Sequence, residues 1–241
     1  MTREEDFVIK TPYQPTDEEK QAITDLENKG LVADDWDSGK KDILSFKKNL
    51  RRDMYNKQNK RCAFCRIHVP SSCVPMHREH IVYKDMHPQW MFHPENLCIA
   101  CPNCNSWKGT TEVLANPHTS TYPTTSDGFK IIHPLYDKYS DHIELIDEIL
   151  YKGKTDKGTF TINTCHLYRV DLAEERVDIK MYAKNKGKII AELIHLLTLS
   201  DQYIDEKDRF CEYVTEIVKK YKKRKNVAKT ENNNDPLYLA R

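Results

Sequence analysis

The chain of 241 residues carries 38 Lys and Arg against 37 Asp and Glu, a formal net charge of +1, and 39% of its residues are hydrophobic. This length is enough for one compact core, or for a small catalytic module with a second lobe. No apolar run approaches the roughly 18–20 residues that cross a bilayer, and the opening residues, MTREEDFVIK, lack the apolar stretch of a secretory signal. These features argue against a membrane partner and predict a cytoplasmic location.

Charge is distributed unevenly along the chain. Residues 1–39 hold eleven acidic and four basic side chains, whereas residues 40–66 hold ten basic and two acidic ones. Residues 219–229 add seven basic side chains and no acidic one. Basic segments favour a phosphate-bearing partner, because neutralising phosphates releases condensed counterions. Lysine-rich helices are also ordinary solvated surfaces, so the asymmetry supports a nucleic-acid hypothesis without establishing it.

Residues 1–40 predict an acidic N-terminal segment with one short helix. That helix covers about residues 16–28, because Thr16 followed three residues later by Glu19 has the form of a capping box. In residues 41–57, apolar side chains recur near helical spacing and basic side chains fill the remaining positions. This second pattern predicts an amphipathic helix that leads to the first cysteines.

Residues 41–115 form the predicted central module, and its pattern beyond Cys62 is short and irregular. Such a pattern is typical of a small fold held by a metal ion rather than by a large core. We expect a strand within His77–Tyr83 and a helix over Asn105–Leu114. Residues 116–128 are rich in Ser, Thr and Pro, which predicts a boundary there.

Residues 116–225 are predicted to form a mainly helical C-terminal lobe. The expected elements in chain order are a helix over 140–150, a small β excursion over 152–164, and two helices over 171–198 and 201–225. The remaining residues, 226–241, are charged and rich in Asn, which predicts a flexible tail.

The chain has eight cysteines, four of which form two C-x-x-C pairs. Cys62 and Cys65 are separated from Cys101 and Cys104 by 35 intervening residues. Each pair brings two thiolates to one cation, so the two pairs together predict a closed tetrahedral Zn²⁺ site. Four sulfur ligands leave no open coordination position, and this zinc is therefore expected to be structural.

Other interpretations of the cysteines stay open. The two pairs could be unrelated thiols that are reduced or redox-active. Cys73 and Cys98 also lie in this region and could substitute as ligands, but they lack a paired spacing, which favours buried apolar positions. Cys165 and Cys211 are assigned to the core.

Five residues between and just after the two pairs could carry chemistry: Glu79, His80, Asn96, Asn105 and Lys108. Hydrolysis of a phosphodiester bond needs a base that deprotonates water and a cation that stabilises the departing oxygen. A neutral imidazole suits the first task. Carboxylate and amide oxygens are hard ligands that suit Mg²⁺ or Mn²⁺.

The order of these motifs is C-x-x-C, then E-H-I, E-N-L and C-x-x-C-N-x-x-K, over about residues 58–112. This order resembles the zinc-containing HNH (ββα-metal) endonucleases. The resemblance implies a hairpin and a helix that hold one divalent cation between the two cysteine pairs. With the helices predicted on either side, the expected fold class is α+β: a small ββα-metal HNH module held by a four-cysteine zinc site, a helical N-terminal segment and a mainly helical C-terminal lobe.

The resemblance also implies a role for each motif residue. His80 corresponds to the general base that activates water. Glu79 and Asn105 correspond to the ligands of the catalytic Mg²⁺ or Mn²⁺. Asn96 corresponds to the residue that braces the loop between hairpin and helix, and Lys108 to a basic position near the substrate phosphate.

Two features depart from the family pattern. Glu79 is one methylene longer than the usual Asp, which places the cation further from the backbone or binds it less directly. In addition, neighbouring residues on a strand point to opposite faces, so Glu79 and His80 converge only where the strand twists or ends. His77 shares a face with Glu79 and is a reserve candidate for contact with metal or phosphate.

The remaining histidines and tryptophans of the module have simpler expected roles. His87 and His93 each precede a proline and are expected to shape turns. Trp90 and Trp107 could stack on nucleobases, although packing within the small module is the favoured interpretation.

The order of features beyond residue 133 extends the resemblance, more loosely, to the HNH subunit of Septu-type or retron-associated phage-defence systems. This implies a partner of the ABC/SMC-like ATPase type and a C-terminal lobe that serves for docking; a lobe that only stabilises the module is the alternative. The expected function is a metal-dependent endonuclease acting on DNA, less surely on RNA. The competing hypothesis is a non-catalytic zinc module that binds nucleic acid or a protein.

Overall fold

The computed structural model describes residues 7–69 and 76–181. The chain divides into two compact units, Met1–Asp178 and Ile179–Arg241, and the geometry below belongs to the first. The predicted helix over 201–225, the tail over 226–241, Cys73 and Cys211 lie outside the described residues. Within the described ranges, no helix is long and apolar enough to cross a membrane.

Helix α1, Asp17–Glu27, begins with the predicted capping box. The Thr16 hydroxyl accepts the backbone N–H of Glu19 at 3.3 Å, and the Glu19 carboxylate accepts the N–H of Thr16 at 3.1 Å. The same buried carboxylate also accepts hydrogen bonds from Tyr13, Ser45 and Asn49. One local capping residue therefore also joins this helix to the next.

Helix α2, Lys41–Lys57, confirms the second predicted helix. Its apolar face is fully buried and consists of Ile43, Phe46, Leu50 and Met54. Burial of such a stripe is the main source of stability for a surface helix, since each large apolar side chain contributes about 1.5–3 kcal/mol when removed from water.

The central part of the fold follows the order β–β–α. Strands β1, His77–His80, and β2, Leu97–Ala100, pair antiparallel, with His80 opposite Leu97 and Glu79 opposite Cys98. Helix α3, Pro102–Lys108, follows directly. The observed strand thus ends at His80 rather than Tyr83. The observed helix starts before the predicted Asn105, because Cys101 caps it with its sulfur and Pro102 fits its first turn, and it ends at Lys108 rather than Leu114.

The prediction of a helix over 140–150 is wrong. Helix α4 covers only Tyr139–His142, and the chain continues as β3, Ile143–Ile146, and β4, Leu150–Gly153, which pair antiparallel. Asp147 and Glu148 adopt left-handed backbone conformations at the turn, with φ of 52° and 64°, which ends helical geometry.

The short β segment predicted over 152–164 is therefore placed too far along the chain, because the observed strands β3 and β4 end at Gly153. Helix α5 covers Asp156–Thr164 and is capped by Thr155. Gly158 brings α5 against α4, since a Cβ atom there would lie 1.9 Å from the His142 carbonyl oxygen. Residues 170–181 are helical, at the start of the helix predicted over 171–198. The described part of the lobe is mixed α+β, as are the described residues taken together.

The lobe packs directly against the first cysteine pair. The Tyr139 hydroxyl donates to the Phe64 carbonyl at 2.7 Å. The carbonyl of Cys65 accepts the Tyr151 hydroxyl and the Arg176 guanidinium. The residues around the cysteines are thus held by elements far away in sequence.

Candidate metal centre and active site

The four cysteines of the two C-x-x-C pairs form one cluster. Their sulfur atoms all lie within 4.8 Å of one another, and Cys62, Cys65 and Cys104 are fully buried. The Sγ atoms of Cys65 and Cys101 are 3.8 Å apart. Zn–S bonds of about 2.3 Å in tetrahedral geometry place sulfurs about 3.8 Å apart. The cluster could therefore hold a metal ion such as Zn²⁺ with little rearrangement.

Local backbone features shape both cysteine pairs. In the first, Arg66 has a left-handed conformation with φ of 58°, and its buried guanidinium donates to the carbonyls of Cys62 and Gln58. In the second, Cys101 is the N-cap of α3, and its sulfur accepts the N–H of Cys104 at 3.4 Å. Such N–H bonds are typical partners of metal-bound thiolate.

The cluster already favours a thiolate at one of its sulfurs. Burial raises the pKa of Cys62, but hydrogen bonds from Cys101, Cys104 and Cys65 outweigh burial and bring it well below its usual value. Only the thiolate binds zinc, so a lowered thiol pKa assists metal binding. Cys98 and Cys165 are buried outside the cluster, as expected.

Glu79 and Lys108 form a buried ion pair. Lys108 Nζ lies 2.7 Å from Glu79 Oε1, and the side chains are 0% and 9% exposed. The same ammonium group donates to the carbonyl of His80 at 2.9 Å. Burial raises the pKa of Glu79, and Lys108 opposes this rise. Lys108 thus ties the C-terminal end of α3 to the end of β1.

His80 is neutral and held in one tautomer. Its Nε2 lies 3.1 Å from the Met91 carbonyl, which can only accept, so Nε2 carries the proton and Nδ1 the lone pair. Burial, assisted by Lys108 and Lys84, lowers the pKa of His80 to about 3. The residue keeps 8% of its surface exposed. Its imidazole is therefore uncharged at neutral pH.

Asn96 braces the connection between the two strands. Its Oδ1 accepts the N–H of Val82 at 2.7 Å, and its Nδ2 donates to the carbonyls of Val82 and Trp90. The residue is fully buried. One amide side chain thus satisfies three backbone groups of the loop that follows His80.

Asn105 contacts His77 rather than Glu79. Asn105 Nδ2 and His77 Nδ1 are 2.7 Å apart. Asn105 and Lys108 lie on one face of α3, three residues apart, and meet His77 and Glu79, which share one face of β1. His77, the reserve candidate, is thus the observed partner of Asn105.

The structure leaves Glu79 and His80 on different sides of β1. Glu79 faces α3, whereas the His80 ring makes an edge contact with Trp36 at 4.4 Å between ring centroids. The two groups are linked through Lys108, which bonds the carboxylate of one and the carbonyl of the other. Trp36 lies in the segment predicted to be separate from the module, and no local pattern pointed to its contact with His80.

Trp90 and Trp107 differ in exposure. Trp90 is buried and stacks on His87, with ring centroids 4.4 Å apart, as the packing interpretation expects. Trp107 is 51% exposed, so the prediction that it packs within the module is wrong. Its ring stacks on His166 at 3.9 Å, and His166 in turn stacks on the exposed Tyr168.

Within residues 7–69 and 76–181, the four cysteines are the sole group of three or more His, Cys, Asp or Glu ligand atoms close enough to hold a metal ion. The cation next to the Glu79 carboxylate is the Lys108 ammonium. Glu79 and Asn105 as arranged therefore do not fit a divalent-cation site. No protein-family model matches the chain, and no curated protein sequence does.

Proposed function

We propose that the chain is a zinc-containing endonuclease of the HNH type, which hydrolyses phosphodiester bonds of DNA. The observation that carries this proposal is the state of His80. Its imidazole is neutral, its tautomer is set by the Met91 carbonyl, and it ends the first strand of a β–β–α unit. The first cysteine pair precedes this unit and the second lies at the start of its helix. These features support His80 as the general base.

In the proposed reaction, Nδ1 of His80 accepts a proton from water while the water oxygen attacks phosphorus in line with the leaving oxygen. The hydrogen bond from Nε2 to Met91 keeps the ring oriented as the proton moves. An imidazole with a pKa of about 3 is a weak base in the free protein. A bound phosphodiester brings negative charge, which stabilises imidazolium and raises this pKa towards the working range.

Two other residues and the structural zinc act through position. Asn96 fixes the loop that carries Met91 by holding the neighbouring Trp90 carbonyl. Lys108 fixes the carbonyl of His80 and compensates the charge of Glu79. Zn²⁺ at the four cysteines would hold the first cysteine pair against the start of α3 and so stabilise the frame in which His80 lies.

A dependence on Mg²⁺ or Mn²⁺ belongs to this proposal as an expectation from motif order. Because Glu79 is paired with Lys108 and Asn105 with His77, the proposed reaction has no step that uses a divalent cation. Cleavage in buffer with Mg²⁺, with Mn²⁺ and with neither tests the dependence directly. The zinc content is measured in each buffer, so that loss of the structural ion is recognised.

The decisive experiment is cleavage of supercoiled plasmid by the purified full-length chain and by His80→Ala. The proposal expects nicked or linear product from the wild type and a loss of at least a hundredfold with His80→Ala, at equal zinc content. The assay is run at a temperature where both proteins are folded, since removal of the buried imidazole lowers the thermal unfolding temperature. A matched control is His118→Ala, which removes an exposed imidazole and should cleave like the wild type. Equal cleavage by His80→Ala would refute the assignment of the base.

The second candidate function is a non-catalytic zinc module that binds nucleic acid or a protein. The buried Glu79–Lys108 pair favours it, because a satisfied carboxylate has no need of a further cation. This candidate gains if the chain binds DNA but cleaves neither DNA nor RNA in any of the metal buffers.

A role in phage defence beside an ABC/SMC-like ATPase is a further part of the proposal and rests on motif order alone. It is tested by repeating the plasmid assay with the product of an adjacent ATPase gene and ATP. Cleavage that requires this partner would support the role. An intron or intein as genetic context would support a homing enzyme in its place.

A further inference from the structure

The face of β1 that carries His80 also carries a basic residue. Side chains alternate along a strand, so Arg78 and His80 point to the same side, opposite to Glu79. In the antiparallel register, Arg78 lies across from the buried Ile99. Gln58 at the end of α2 hydrogen-bonds both backbone groups of Ile99. These bonds place the end of α2 beside the outer edge of β2.

Helix α2 adds two more cations to the same region. Lys47 and Arg51 are four residues apart and lie on one face of the helix. Burial, and then repulsion from Arg51, lowers the pKa of Arg78. Burial, and then repulsion from Arg78, lowers the pKa of Lys47. These three residues form a cluster of like charge, and Asp37 is the carboxylate whose field opposes the repulsion.

The cluster contains a donor without a partner. Nε of Arg78 is buried and makes no hydrogen bond to the described residues. A buried cationic donor left unsatisfied is costly, and nearby positive charges add to the cost. An anion held by the guanidinium groups of Arg51 and Arg78 would offset the repulsion between them.

Lys47 connects the cluster to His80. Its Nζ donates to the Trp36 carbonyl at 2.8 Å and lies 5.7 Å from the centroid of the Trp36 ring. The same ring contacts His80 at 4.4 Å. Along β1, two residues span about 6.7 Å, so Arg78 is within one nucleotide's reach of a phosphate at His80.

We propose that Arg51 and Arg78, positioned by Lys47, form a phosphate-binding subsite that holds the nucleic-acid backbone next to the phosphate attacked at His80. This inference rests on the proposed nuclease function for its placement, and it adds the residues that bind the substrate backbone. It also separates the basic segment 40–66 into cations that bind phosphate and cations that only face solvent.

The test is DNA binding by the full-length chain in the His80→Ala background, where cleavage does not interfere. A fluorescently labelled duplex of about 20 base pairs is titrated at several salt concentrations with Arg51→Gln, Arg78→Gln and the control Arg52→Gln. Arg52 is exposed on the same helix and bonds only Asn49 within the described residues. For each lost phosphate contact, the slope of log K against log salt should fall by about 0.9 in magnitude.

The expected result is roughly tenfold weaker binding for Arg51→Gln and for Arg78→Gln, with the reduced slope, and a nearly unchanged slope for Arg52→Gln. Equal effects of all three variants would overturn the subsite, because they would reflect net charge alone. Arg78→Lys keeps the charge and should restore much of the slope. If Arg78→Lys and Arg78→Gln weaken DNA binding equally, with wild-type zinc content and unfolding temperature, Arg78 acts through its shape and not through its charge. That result would overturn the proposal.

The two proposals fail separately. If the wild type never cleaves but Arg51→Gln and Arg78→Gln lower DNA affinity and slope, the subsite stands and the nuclease proposal falls. If the wild type cleaves through His80 but neither variant changes binding, the nuclease proposal stands and the subsite falls.

Discussion

Lys108 and Glu79 form an ion pair of 2.7 Å in which neither side chain is more than 9% exposed. The pair joins the last residue of α3 to the third residue of β1. Because Lys108 also bonds the His80 carbonyl, the conformation of the candidate base depends on this pair. A residue expected to approach the substrate phosphate is instead part of the buried framework.

Replacing Lys108 by Met should destabilise the protein by about 3–5 kcal/mol, because it leaves the Glu79 carboxylate buried without its partner. The measurement is urea unfolding at pH 7. Loss of Lys108 also allows the pKa of Glu79 to rise further, so the folded chain takes up a proton more readily than the unfolded chain. The deficit relative to the wild type should therefore shrink as the pH falls from 7 to 5.

The matched control for this pair is Lys152→Met, which breaks the exposed pair between Lys152 and Glu144 and should cost less than about 1 kcal/mol. The double variant Lys108→Met with Glu79→Gln removes both buried charges and should recover part of the loss. A cost for Lys108→Met no larger than that for Lys152→Met would contradict a buried, coupled pair.

The cysteine cluster predicts one tightly held zinc ion per chain. Cys101→Ser should abolish stoichiometric zinc and unfold the module, since a structural site contributes its binding energy to folding. Elemental analysis and circular dichroism measure the two effects. Chelation of the wild type should produce the same spectrum.

Cys98→Ala serves as the control for zinc, because Cys98 is buried beside the cluster but outside it. This variant should retain one zinc. A wild-type chain that binds no zinc and forms a reversible disulfide between cysteines of the cluster would favour the redox interpretation.

Asn96→Asp tests the bracing amide with almost no change of volume. The carboxylate keeps an acceptor for the Val82 N–H but can no longer donate to the carbonyls of Val82 and Trp90. Each buried carbonyl left unsatisfied costs about 1–3 kcal/mol, so thermal unfolding should occur at a clearly lower temperature. Zinc content should be unchanged, because Asn96 does not touch the cysteines; zinc loss in this variant would mean that the loop and the metal site fold as one unit.

Acid should destabilise the protein through His133. This imidazole is buried, its Nδ1 accepts the N–H of Leu135 at 3.2 Å, and burial lowers its pKa to about 3. Between the usual histidine pKa of about 6.5 and this value, the unfolded chain binds the proton and the folded chain does not. Stability should therefore fall with decreasing pH by up to about 1.4 kcal/mol per pH unit from this group.

The measurement compares urea unfolding between pH 7 and pH 4.5 for the wild type and His133→Gln, whose pH dependence should be flatter in this window. His118→Gln removes an exposed imidazole and should leave the wild-type dependence intact. If His133→Gln and the wild type lose stability in parallel, other groups are responsible for the acid sensitivity.

Features that depend on neighbouring residues could be predicted from the sequence. The capping box at Thr16 and the amphipathic stripe of α2 were both expected, because each depends on spacings within one or two helical turns. The assembly of the four cysteines was also expected, since two C-x-x-C pairs are strong local signals. The prediction of a helix over 140–150 is wrong because the helical periodicity of this segment is short. A left-handed turn at Asp147 and Glu148 ends helical geometry there.

The sequence by itself determined which residues are chemically able to act: the paired thiols, the imidazole of His80 and the amide of Asn96. The tertiary structure alone decided which of them meet. It gave Glu79 an ammonium partner, gave Asn105 an imidazole, and brought Trp36 to the side of His80. Those contacts follow from the packing of α3 against one side of β1 and of Trp36 against the other. Burial then sets protonation and charge, which no spacing along the chain encodes.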